Sequence, residues 1–208
     1  NPVAPVSAIL IPRSLSWDVQ YCPAGFKFTP KQGSIRFQPN NGNRVVNTPC
    51  RKNYMNQSYK TRLANHRDQP AIIQLIDEVY QEYGDRICLS GADQDLLDLQ
   101  TSYFDQNGSF WVMEDAQGRI VGTHATKPID RGLNGEPTND SLCTFRRLYL
   151  DANLRGSQLG AELMDLTIDW ARQKGFDRVE FWSDTRFSRA HQFFAKFGFQ
   201  NTGQTRQM

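Results

Sequence analysis

A mixed β-sheet with helices packed on both faces, an α/β fold, is what three observations in this sequence predict. Segments of strand character and segments of 3.6-residue apolar periodicity follow one another along most of the chain. One of them, Ser141 to Asp184, reads strand–helix–strand, which closes most simply as a parallel, right-handed crossover. At 208 residues the chain is also long enough to bury about 70% of its extended surface without staples.

The elements can be read in order from Tyr59. "YKTRLA" is a short strand. "RDQPAIIQLIDEVYQEYG" brings Ile72, Ile73, Ile76, Val79 and Tyr80 onto one helical face, with Asp68 near its start, Pro70 in its first turn and Gly84 at its stop. A second helix is expected through "DQDLLDLQTSYF". "SFWVMED" and "GRIVGTHATKP" are two strands joined by the hairpin signal "AQG". "DSLCTFRRLYL" is a long strand, in which alternation sends Arg146 and Arg147 to opposite faces. Leu154 to Lys174 is a helix with Leu159, Leu163, Leu166 and Trp170 on one side. "DRVEFWSDT" is a strand, "SRAHQFFAKFG" a helix with Ala190, Phe193, Phe194 and Phe197 inward, and "FGFQNTGQTRQM" begins a last strand. The order is β-α-α-β-β-β-α-β-α-β.

Residues 1–57 differ in kind from residues 58–208. Seven of the ten prolines fall in the first 50 residues, among Gly, Asn and Ser clusters. They read as a partly irregular arm whose one strand-like piece is "SIRFQ", Ser34 to Gln38. A composition of 38% hydrophobic and 22% charged residues is that of an ordinary globular protein. A net charge of +2 argues against nucleic acid or an anionic membrane surface as partner. Cys22, Cys50, Cys88 and Cys143 lack the spacing of a metal site or disulfide framework, so no metal is expected. No apolar run reaches a membrane span, and the opening residues lack a secretory pattern, so a cytoplasmic protein is expected.

The junction "YLDANLRGSQLGAEL" carries the chemistry. A helix opening near Arg155 and Gly156 aims its first N–H groups and the positive end of its dipole at the turn. Gly156 admits a ligand close to the backbone, Gly160 removes bulk one turn later, and Arg155 adds a cation. Together they suit a phosphate or diphosphate. Alternatively, Gly156 makes a turn and Gly160 eases packing.

From Thr144 to Phe199 the sequence resembles the acetyl-CoA-binding half of the GNAT N-acetyltransferase superfamily. "LYLDANL" followed by "RGSQLG" corresponds to the family's strand and its R/Q-x-x-G-x-G/A helix start, and "AHQFFAKFGF" to its later helix. The element order from Tyr59 corresponds as well. The resemblance implies an acetyl-CoA-dependent N-acetyltransferase acting on a small-molecule or peptide amine. Under it, Leu148 and Leu150 would offer backbone groups to pantetheine amides as though to an added strand. Arg155, Gly156, Ser157, Gln158, Leu159, Gly160 and Ala161 would hold the diphosphate. Phe187, Ala190 and Phe194 would flank the thiol end. Three positions depart from the family pattern: Gln158 replaces a glycine, Phe194 a tyrosine that often protonates the leaving thiolate, and Thr144 an acidic residue. The last two leave a noncatalytic acyl-CoA-binding or sensor module as the alternative.

Four residues remain as catalytic candidates. His124 lies on a mid-sheet strand, Thr144 stands where some family members carry an acid, Asp184 with Ser183 ends a strand at its carboxyl edge, where ligands of open α/β sheets collect, and His191 sits on the following helix. For Asp184, capping that helix is the competing role. Arg146, if it faces the cleft, suits an anionic acceptor; a surface salt bridge is its other reading. Trp182 is expected at the acceptor cleft. Family members finish with two more strands than the residues after Phe199 allow. The edge so exposed is expected to be covered by Ser34–Gln38 or by the second subunit of a homodimer.

Overall fold

The computed structural model describes residues 2–10, 59–132, 135, 137–202 and 206–207. Among them the order is β1 (Pro2–Leu10), β2 (Lys60–Leu63), α1 (Gln69–Gln81), α2 (Leu99–Ser102), β3 (Ser109–Glu114), β4 (Ile120–Arg131), β5 (Pro137–Leu150), α3 (Leu159–Gln173), β6 (Arg178–Asp184), α4 (Ser188–Lys196), β7 (Gln200–Asn201) and β8 (Arg206–Gln207). One sheet runs β2-β3-β4-β5-β6-β1-β7, with β8 against β1. β5 and β6 are parallel and the other pairings antiparallel, so the sheet is mixed, as expected.

Alternation along β3 divides the core. Phe110 and Val112 pack with Ile72, Leu75 and Ile76 of α1. Met113 points the other way, onto Val121 and Leu163 of α3, and Trp111 meets Trp170 of α3 edge-on at 6.1 Å. Successive side chains of a strand face opposite sides, so helices cover both faces. The α3 stripe is turned slightly from the expected one: Leu163, Met164, Thr167, Ile168 and Ala171 are buried, and Leu166 and Trp170 flank them.

Helix α1 keeps Pro70 in its first turn, and Gly84 after it has φ +69°. Asp68, at its N-cap, makes no cap bond. Its carboxylate instead accepts a fork of two bonds from Arg62, at 2.7 and 2.8 Å, and the Asn65 N–H at 2.7 Å. The single helix expected through Asp93–Phe104 is replaced by short turns at Gln94–Leu96, Leu99–Ser102 and Phe104–Gln106. The carboxylates explain this. Asp98 accepts from the Thr101 N–H and starts a new turn, while Asp93 and Asp95 are drawn toward a buried arginine described below.

β1 lies within the stretch read as an arm. It pairs with β6, Val3 opposite Asp184 and Val6 opposite Phe181, and on its other side with β7 and β8. It therefore takes the edge left by the short segment after Phe199. Ser34–Gln38, expected there, lies outside the described residues.

Candidate functional site

β5 and β6 form ladder pairs only at Leu142–Arg178 and Cys143–Val179, although both strands continue. Where pairing ends, a cavity of about 410 Å³ opens. Thr144, Leu148 and Tyr149 of β5 form one wall and Phe181, Trp182, Ser183 and Asp184 of β6 the other. Phe187, which precedes α4, and Ala190 and Phe194 of α4 line it as well, together with Tyr80, Tyr83, Cys88 and Asp93 from the α1 side.

A bulge in β5 shapes one wall. Ala125 of β4 stands opposite Arg146 and Thr123 opposite Tyr149, so Arg147 and Leu148 together face His124. Arg147 has φ +56°, and the Thr123 hydroxyl donates to its carbonyl at 2.7 Å. An extra residue cancels strand alternation locally. Arg146 and Arg147, expected on opposite faces, consequently both reach Asp95.

Arg147 is the buried centre of a polar cluster, its side chain 5% exposed. It donates to Asp93 at 2.6 Å, to the Ala92 carbonyl at 3.1 Å and to both oxygens of Asp95, Nε at 3.0 Å. Tyr103 also donates to Asp95. Tyr80 donates to Asp93 at 3.1 Å, and its oxygen lies 3.1 Å from that of Tyr149. Burial raises the Asp95 carboxyl, but Arg147 and Arg146 bring it net below the usual range. Burial pushes both Tyr80 and Tyr149 up, so each stays a phenol near neutrality. Sequence reading missed this cluster. Tyr80 matched a core stripe, and the only hint was acid density in "GADQDLLD".

The four catalytic candidates separate clearly. His124 is 1% exposed, and burial depresses it to about 4. Its Nδ1 lies 3.2 Å from the Leu163 carbonyl and 2.7 Å from the Thr167 hydroxyl, which itself donates to Leu163. A carbonyl only accepts, which assigns the proton to Nδ1. Thr144 lines the cavity. Asp184 does not cap α4, whose first turn has no side-chain cap. It accepts instead from the Arg186 N–H at 2.8 Å and from the Arg186 guanidinium. Burial raises Asp184, and Arg186 returns it net below its ordinary value. His191 is outside the cavity wall, but its Nε2 lies 3.1 Å from the hydroxyl of Ser183, a residue that lines the cavity.

The turn after β5 differs from expectation in two ways. A short turn spans Ala152–Leu154, and α3 begins only at Leu159, so Arg155–Gln158 precede the helix. Arg155 is already engaged: it donates to Glu82 at 2.5 and 2.7 Å and to the Leu150 carbonyl at 3.1 Å. Gly156 has φ +84°, which explains its residue type. A Cβ on Gly160 would meet Phe193 at 3.8 Å, ordinary contact, so packing does not require a glycine there. Gly160 and Ala161 lie in the first turn of α3, where amides have no intrahelical acceptor. These residues fit an anion. Leu148 lines the cavity, whereas the Leu150 side chain packs in the core.

The 82–85 turn is held from both sides of the opening. Glu82 pairs with Arg155 beyond β5, and Asp85 pairs with Arg186 beyond β6 at 2.8 Å. Tyr83 between them stacks edge-on against Phe187 at 4.6 Å. Among the described residues no group of three or more metal-ligating side chains occurs, and no helix is long and apolar enough to cross a membrane.

Comparison with known proteins places this geometry. The model of the acetyltransferase (GNAT) family matches residues 72–199. The chain is 28% identical over 148 residues to an uncharacterized N-acetyltransferase, YjgM, of Escherichia coli, covering 70% of this chain and 84% of that protein. It is 29% identical over 109 residues to N-acetyltransferase family 8 member 2 of Rattus norvegicus, covering 52% of this chain and 46% of that one. The chain thus spans about half the length of several curated relatives it matches. Among solved structures, a GNAT-family acetyltransferase of Staphylococcus aureus superposes with TM-score 0.58 at 21% identity, covering 69% of this chain and 85% of that one. A predicted acetyltransferase of Clostridium acetobutylicum, solved with acetyl-CoA, gives 0.55 at 15% identity, covering 73% and 95%.

Proposed function

Since the chain belongs to the GNAT acetyltransferase family, we propose that it transfers acetyl from acetyl-CoA to a primary amine by direct attack. The observation that carries this reading is the interrupted β5–β6 ladder, which leaves backbone edges open beside Leu148 within the cavity. Such an edge accepts an extended amide-bearing chain as a further strand. Phe187, Ala190 and Phe194 supply an apolar wall for the thiol end. Gly160 and Ala161 provide a positive helix start for the diphosphate, the Gly156 turn before them leaves its approach free of a side chain, and Arg155 joins once it leaves Glu82.

In the transfer, the amine nitrogen bonds to the acetyl carbon, the carbon–sulfur bond breaks, and the proton lost by nitrogen is balanced by the one that makes the free thiol. Phe194 cannot protonate the thiolate. A thiol is already a tolerable leaving group, with a pKa of about 8.5. For the amine's proton, the Ser183–His191 pair is the best-placed route: Ser183 lines the cavity, and its hydroxyl can take that proton while passing its own to the His191 imidazole. His124 and Asp184 are poorer bases: His124 lines the cavity but is 1% exposed and depressed by burial to about 4, and Asp184 is paired with arginine.

Calorimetry with CoA, acetyl-CoA and ATP tests the coenzyme, and tighter binding of ATP than of CoA would remove this assignment. Incubation of acetyl-CoA with an amine panel, read by mass spectrometry for one added acetyl group, tests the transfer. CoA binding without any product would instead favour the binding-module reading, which Phe194 motivates. With a productive amine, Ser183→Ala and His191→Gln are each expected to lower kcat by about 100-fold. Unchanged rates would remove the relay.

A further inference from the structure

Resting on the transferase reading above, we propose that the acceptor amine carries an oxyanion, a carboxylate or phosphate, which the Arg146 guanidinium binds. Arg146, in regular register opposite Ala125, reaches toward Asp95 on the face opposite Phe145 and its α4 neighbours. The amine would therefore enter from the α1 side and meet the thioester through the gap between the strands. Arg146 lines the cavity, and its side chain is 39% exposed.

Its charge is left incompletely matched. Among the described residues its closest acid is Asp95, at 3.5 Å, too far for a hydrogen bond of ordinary strength. Both oxygens of Asp95 already accept from Arg147, and one accepts from Tyr103 as well. Asp93 is likewise filled by Arg147, Tyr80 and the Cys88 N–H. Lys127 adds a further cation near this group, held by the neutral Ser102 carbonyl and Gln106 amide oxygen. Burial lowers its ammonium, and the charge of Arg146 lowers it further. Two carboxylates thus face three cations, and Arg146, the exposed one among the arginines, lines the cavity. A planar donor fork on a residue that lines the cavity suits a bidentate oxyanion. It also disfavours polyamines, which would bring more positive charge to the same place.

The test compares matched acceptors: an α-amino acid with its carboxamide, and an aminoalkyl phosphate with the corresponding amino alcohol. In the wild-type protein the anionic member of at least one pair should have the higher kcat/KM by about 10- to 100-fold. Which pair shows it identifies the oxyanion. In Arg146→Gln the ratio should fall to near one, and Arg146→Lys should restore part of it. Wild-type ratios near one in both pairs, or a preference that survives Arg146→Gln, would overturn the proposal. If no amine is acetylated, binding decides without turnover. The Arg146 Nε–H resonance, assigned by its loss in Arg146→Gln, should shift on titration with the anionic members and not the neutral ones. Absence of that shift overturns the subsite, whereas failure of CoA to bind overturns only the transferase reading.

Discussion

Arg147 and His124 stand on adjacent strands, one charged and one neutral, and each makes a different prediction about stability. Removing Arg147 leaves Asp93 and Asp95 facing each other without their cation. Breaking a buried ion pair in this way costs about 3–5 kcal/mol, so Arg147→Gln should lower the urea midpoint strongly while Arg86→Gln, on an exposed pair, should barely move it. His124 responds to pH. Its folded value of about 4 lies below the unfolded value near 6.5, so between those limits the unfolded chain binds more protons. Stability is therefore complete above about pH 6.5 and declines as the pH falls toward 4, by about 3 kcal/mol in total. Urea titrations at pH 7.5 and 5 should show the decline, and His124→Gln should reduce it; a decline of equal size in the variant would assign it to other groups. Asp95 acts in a lower window. Its depressed carboxyl contributes above its unfolded value near 3.9, and that contribution is lost as the pH falls below about 4.

At the scale of elements, the start of α3 separates a glycine kept for folding from one kept for a ligand. Gly160→Ala has room and improves helix propensity, so it should raise stability by up to about 1 kcal/mol. If a diphosphate rests against that turn, the same change should weaken CoA binding, measured by calorimetry. A rise in stability with unaltered affinity would locate the diphosphate elsewhere. Glu82→Gln should tighten CoA, because Arg155 would no longer have a competing anion. The hairpin of β3 and β4, the β5–α3–β6 crossover and the α4 wall were all legible in the sequence, because periodicity and turn residues are local signals. The bulge was not. Arg147 adopts φ +56° in a strand whose apolar pattern looks regular, and the acids that hold it come from residues 93 and 95. The late start of α3 was hidden similarly, since nothing in "NLRGSQLG" separates turn residues from the first helical turn. Ser183 was visible only as a polar residue at a strand end; its pairing with His191 depends on where β6 and α4 come to lie.

At the scale of the whole molecule, the sheet is completed by residues far apart in the chain. β1 covers β6 on one side and meets β7 and β8 on the other. Deleting residues 1–13 should bare the β6 edge and cause self-association, visible in light scattering, since exposed edges invite pairing. A soluble, monomeric deletion would show that β6 tolerates exposure. The strand within residues 1–57 escaped sequence reading because its alternation is short and lies in proline-rich surroundings, and its partner is named only by the fold. Its position also bears on biosynthesis. On the ribosome Pro2–Leu10 are made well before their neighbour Arg178–Asp184, which exists only after residues 11 to 177 have been added, roughly 10–30 seconds later at ordinary rates of translation. Through that interval the nascent segment has no native mate, and chaperones that shield extended peptides have their natural opportunity there.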